Sequence, residues 1–216
     1  MVHYRLLVRG VNIYNCVSGD KFPEKPYLPE PYYEDALKHI SSGDETDVIA
    51  TFVNKWQSRV QIDKRALGQT IAWFHRKYEQ SLSCELLNQL HESQRRDVVN
   101  AFESFSNALN ATAAAKALHI LVPKFFIPWD QHIREAYGCW KNGEGYWNFL
   151  LRMRTELQEA ILTYRRDFPK GQDLSERLYG GAESLPKIID EYNWERFTGH
   201  AMGSPREPLP SAHRTP

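Results

Sequence analysis

Tyr146, Phe149, Leu150, Met153, Leu157, Ile161 and Tyr164 recur at three- and four-residue spacing, and this period constrains the fold more than any other feature of the chain. Only a helix of 3.6 residues per turn gathers such a set on one face, and only burial against another element keeps that face from water. The same period returns upstream. Val48, Ile49, Phe52, Val53 and Trp56 follow Asp44, and Leu67, Ile71, Phe74 and Tyr78 follow Asp63. Both aspartates are placed to accept hydrogen bonds from the free amides of a first helical turn. Leu82, Leu86, Leu87 and Leu90 mark a further helix, and Val98, Val99, Phe102 and Phe105 another. Asn110 opens an alanine-rich helix from Ala111 that Pro123 stops. A short helix is expected from near Trp129 to Gly138, then a loop holding Gly143 and Gly145, then the long helix, which Pro169 to Gly171 end. Leu185 to Phe197 make the last helix. The fold class is therefore mostly α, a helical bundle whose apolar stripes are core.

The ends of the chain read differently. Residues 3 to 17 are rich in β-branched and aromatic side chains and predict one or two short N-terminal strands bent at Gly10. Pro23, Pro26, Pro29 and Pro31, interleaved with Tyr27, Tyr32 and Tyr33, predict an extended loop that can also dock a protein partner. From Gly199 the chain is glycine, proline, serine and charge, which predicts a disordered tail. The expected organisation is one helical domain over residues 1–198, with 199–216 as tail.

Composition narrows the function classes. Of 216 residues, 27 are Lys or Arg and 27 Asp or Glu, so the chain lacks the global positive charge of a non-specific nucleic-acid binder. A local basic face remains open. Between Ala111 and Lys170, nine basic residues face six acidic ones. The three cysteines, Cys16, Cys84 and Cys139, are widely spaced and predict neither a disulfide framework nor a metal centre. No secretory signal or bilayer-spanning run is visible, so the expected compartment is the cytoplasm and no membrane is involved. Phosphate-binding glycine loops, zinc-helix motifs and the serine nucleophile elbow are missing too, and no cofactor is implied.

The chemistry-bearing stretch is Ala111 to Gly138. Asp130 opens a helix after Pro128 and Trp129, where it caps free amides and opposes the helix dipole. Its bulky apolar neighbours can also desolvate it and raise its basicity. Thr112, Lys116 and His119 share one side of the preceding helix. If the two helices pack as neighbours, a lysine, a histidine and a carboxylate line one cleft.

Pro128-Trp129-Asp130-Gln131-His132-Ile133-Arg134 resembles the P-V-D-T-H-V-x-R segment of the helix-hairpin-helix DNA glycosylase superfamily, the endonuclease III-like fold. The alanine-rich helix before it and the long helix after it suit that fold's second half. The stretch from Lys116 to Gly138 also resembles a signature of uncharacterised microbial proteins that look like divergent relatives of the same fold. The resemblance implies that Asp130 activates the nucleophile or stabilises the sugar cation when a base is excised from a flipped nucleotide, and that His132 is a packing residue. The glycine hairpin that anchors DNA in that family has no counterpart in Ser106 to Thr112. Thr112 occupies the position of the family's Schiff-base lysine, and the four-cysteine cluster loop is missing.

Three functions follow as expectations. The first is a DNA-acting enzyme, working at a base or an abasic site, with Asp130, Lys116 and His119 catalytic and Thr112, Lys124 and Arg134 contacting nucleic acid. The second is a non-catalytic nucleic-acid-binding module on the same fold. The third is a protein-interaction component using the proline–tyrosine segment.

Overall fold

The computed structural model describes residues 3–10, 31–41, 43–56, 60–82, 86, 90–171, 173–179 and 184–199, and they form a helical bundle with no strand among them. Helix α1 covers residues 4–10, α2 Pro31–Ile40, α3 Glu45–Lys55, α4 Lys64–Leu82, α5 Arg95–Ala108 and α6 Ala111–Leu121. Then come α7 Gln131–Ala136, α8 Gly143–Asp167, α9 Leu174–Tyr179 and α10 Leu185–Asn193, which runs into a π-helical turn, Trp194–Gly199. Helix α5 is central, packed on α4, α6 and α8, while α6 turns back against α2 and α3.

The caps fall where the sequence places them. Asp44 accepts from the Thr46 and Asp47 amides, Asp63 from Arg65 and Ala66, and Asn110 from Ala113. Each replaces a hydrogen bond that the first helical turn cannot make internally. Inside the bundle the stripes close on one aromatic stack. Phe102 lies flat on Tyr146 at 4.4 Å, and Trp129 meets both edge-on. The Trp129 indole N–H donates to the Ala111 carbonyl, and the Tyr146 hydroxyl to that of Ile127, so both polar tips are satisfied in the core.

Three expectations are corrected. Residues 4–10 are helical, not strand: Tyr4, Leu7 and Gly10, three residues apart, are all buried. Tyr4 packs edge-on against Tyr164 and Phe168, and a Cβ at Gly10 would stand 2.7 Å from a Tyr192 ring carbon. Tertiary packing overrides the weak β propensity of the segment. Gly143 and Gly145 lie in the first turn of α8, not in a loop. A Cβ on Gly145 would fall 1.9 Å from the Trp140 carbonyl oxygen, and one on Gly143 would fall 2.8 Å from Val99. These glycines permit close approach, with Asn142 capping the turn through the Gly145 amide. Leu82 closes α4 instead of opening a helix of its own. The segments 11–17, 83–85, 87–89, most of the proline–tyrosine loop and the tail from residue 200 lie outside the described residues.

Candidate functional site

Asp130 ends the buried link Phe125 to Trp129 and is the N-cap of α7, half-buried at its head. One carboxylate oxygen accepts from the Ile133 amide at 2.8 Å, the other from the Thr198 hydroxyl at 2.5 Å. The first bond is the capping role expected of an aspartate there. The second comes from the π-helical turn, which packs on α7 and sets Phe197 edge-on to Tyr137. The carboxylate is thus oriented by two elements far apart in sequence.

Lys116 and His119 share a side of α6, as their spacing requires, yet their environments diverge. Lys116 is half-buried, its ammonium 4.8 Å from the centre of the Trp56 ring and donating to the Trp56 carbonyl. Such an arrangement favours a partly desolvated cation. His119 is fully buried. Its Nδ1 lies 2.7 Å from the Phe126 carbonyl, which can only accept, so Nδ1 carries the proton. Nε2 then accepts from the Tyr33 hydroxyl at 3.0 Å, and the Tyr33 ring stacks on the imidazole. Burial, with a lesser push from the Lys187 charge, lowers the imidazole pKa to about 3, which keeps the ring neutral. His119 therefore ties α2 and the Phe126 link to α6.

The sequence reading did not reach the group that joins these residues. In α10, every residue from Pro186 to Asn193 is buried, charged ones included. Lys187 Nζ is 3.0 Å from Glu191 and 3.8 Å from Asp190, and it stands over the rings of Tyr33 and Trp56. Asp190 feels the charges of Lys187, Glu191, Lys116 and Asp130. Burial, partly offset by Lys187, raises its carboxyl to about 7. The charges of Lys116 and Asp130 act weakly on Asp190, while His119 stacks on the Tyr33 ring that Lys187 overlies. The only trace in the sequence was Lys187, Asp190 and Glu191 at three- and four-residue spacing, a pattern that exposed helices show far more often.

Of the residues expected to contact nucleic acid, Lys124 is exposed and Thr112 half-buried. The Arg134 guanidinium folds back on its own helix, 3.4 Å from the Cys139 carbonyl and 3.3 Å from Glu135. Much of the basic excess of the second half is matched locally: Arg152 with Glu156, Arg165 with Asp173 and Arg166 with Asp167. Two open clefts lie elsewhere. One of about 250 Å³ between α2 and α3 is lined by residues including Asp35, His39, Phe52 and Lys55; the other, between α3 and α4, includes Glu45 and His75. Neither contains any of the six residues singled out in the sequence. No cluster of potential metal ligands occurs among the described residues, and no helix among them is long and apolar enough to cross a membrane. No family model, curated protein or solved structure matches the chain.

Proposed function

We propose that the chain acts on DNA at a nucleobase or an abasic site, with Asp130 as the carboxylate that stabilises the sugar cation or activates the attacking water. The observation that carries this reading is the double anchoring of Asp130. Its two oxygens are held by the Ile133 amide and the Thr198 hydroxyl, so the group at the head of α7 has one orientation. An oriented carboxylate with cationic and acidic groups nearby suits a reaction that builds positive charge on a sugar. The resemblance of the segment from Pro128 to Arg134 to the glycosylase motif assigns the same residue. Lys116 supplies the nearby cation, and His119 acts as a positioning residue.

The test is excision from duplexes carrying deaminated or alkylated bases, and incision at abasic sites, by wild type and Asp130→Asn. Asparagine caps a helix almost as well as aspartate, so the fold stays intact. The expected result is a loss of activity of about 100-fold or more. Equal rates for the two proteins, or no activity in wild type on any of these duplexes, overturns the reading.

A second reading has its own observation. Both Asp130 oxygens are already occupied, and the His119 ring is sealed. That is the arrangement of a structural cap in a nucleic-acid-binding module without chemistry. DNA binding that weakens steeply with salt and is indifferent to Asp130→Asn, with no excision, selects it.

A further inference from the structure

We propose that the cleft between α2 and α3 binds a small primary amine that carries an apolar body. The cleft lies apart from Asp130 and does not depend on the chemistry proposed there. It measures about 250 Å³, and its walls are Asp35 and His39 on α2 and Asp47, Thr51 and Lys55 on α3. Ala36, Val48 and Phe52, buried or half-buried, form the apolar floor.

The two ends of the cleft differ in charge. Only residues 41–44 separate α2 from α3, and the helices pack together, so they run antiparallel. His39, in the last turn of α2, therefore stands opposite Asp47 near the start of α3. Asp35, one turn earlier, stands opposite Lys55 at the end of α3. At that far end one acid meets one lysine. At the His39 end, Asp47 is 2.6 Å from Lys64, while Asp44 accepts from the Asp47 amide and adds a second negative charge. Glu45 turns away to His75 on α4. Two carboxylates thus face one lysine, and a negative charge is left over beside His39.

His39 supplies an acceptor of fixed orientation. Its Nδ1 lies 2.7 Å from the Asp35 carbonyl, which only accepts, so Nδ1 carries the ring proton and Nε2 the lone pair. No donor among the described residues reaches Nε2. A lone pair, an uncompensated carboxylate and an apolar floor in one cleft fit an alkylammonium. The ammonium donates to Nε2 and to the Asp47 carboxylate, and the carbon body lies over Val48 and Phe52. A ligand with a carboxylate in place of the amine is refused on charge. His39, Asp35 and Asp47 form no cluster of metal ligands, so the cation is an organic one. Lys55 repels a second ammonium at the far end, which selects a monoamine over a diamine.

The experiment is calorimetric titration of the full chain at low salt with phenethylamine, phenylacetate and 1,4-diaminobutane, repeated with Asp47→Asn and Thr51→Phe. The first substitution removes the charge at nearly unchanged size, and the second fills the cleft while leaving its charges. Both side chains are exposed, so the fold survives, and melting temperatures check it. Phenethylamine should bind wild type with a Kd of roughly 1 mM. Binding should weaken about tenfold in Asp47→Asn and vanish in Thr51→Phe. Phenylacetate and the diamine should each bind at least about fivefold more weakly than phenethylamine. Equal binding of phenethylamine and either comparison ligand overturns the proposal. So does an affinity unchanged by Asp47→Asn or by Thr51→Phe, or the absence of phenethylamine binding up to about 20 mM.

Discussion

The two buried regions of this protein are held by opposite means. Around Tyr146 the interior is a stack of rings, Phe102, Trp129 and Phe149, that touch nearly everything through carbon. Around Lys187 it is a set of charges, with Asp190, Glu191, Lys116 and Asp130 in electrostatic contact and aromatic faces against both ammonium groups. The first region stabilises by removing apolar surface from water, roughly 1.5–3 kcal/mol for each large side chain. The second gains little of that kind, since the attraction of buried charges is offset by their desolvation. A helix buried on every side and yet carrying Lys187, Asp190 and Glu191 is costly as scaffold.

The comparison is broken most severely at single residues. Trp129→Ala should cost about 3–5 kcal/mol in urea unfolding, because a large ring leaves a cavity that neighbouring rings cannot fill. Lys187→Ala should cost a similar 3–5 kcal/mol by leaving Glu191 buried without its cation. The regions part at the next step. Lys187→Met combined with Glu191→Leu should recover most of that loss, since well-packed apolar residues replace buried ion pairs at little cost. No second substitution of similar size restores Trp129→Ala. A double variant less stable than Lys187→Ala would show the charges to be the better scaffold.

Gly145→Ala comes next. The added carbon would overlap the Trp140 carbonyl, and overpacking of this sort costs about 1–3 kcal/mol. Circular dichroism melts of Gly145→Ala against the exposed-surface control Trp140→Ala check it, with the larger drop expected in the glycine variant.

Acid titration sharpens the comparison further. The His119 pKa is lowered in the fold, so between about 3 and 6.5 the unfolded chain binds the extra proton and stability falls as pH falls. The Asp190 pKa is raised, so between its unfolded value near 4 and about 7 the folded chain holds the extra proton and stability falls as pH rises. These slopes oppose each other, each at most about 1.4 kcal/mol per pH unit. Asp190→Asn should therefore steepen the loss of stability from pH 6 to 4.5, and His119→Gln should reverse its sign. Unfolding curves at three pH values suffice, and parallel pH profiles for all three proteins would rule out the pairing. The smallest effect is expected at Asp130→Asn, within about 0.5 kcal/mol of wild type.

The sequence alone determined the helical class, the caps at Asp44, Asp63, Asn110 and Asp130, and the stripe of α8, because each rests on residues within a few positions of one another. Helical period and first-turn hydrogen bonds are local physics, and local physics is legible in a string. Asp130, Lys116 and His119 are legible by the same means, spacing along one helix and a position at the head of the next. Only the tertiary structure decided the rest. It turned residues 4–10 into helix by packing Tyr4 on Tyr164, brought Thr198 to Asp130 across 68 positions, and sealed His119 beneath Tyr33. Above all, it buried Lys187, Asp190 and Glu191, whose spacing is that of any solvated helix face. Burial is a property of what surrounds a residue, and the surroundings of α10 come from Gly10, Tyr33, Trp56 and Met153, which no window along the chain contains.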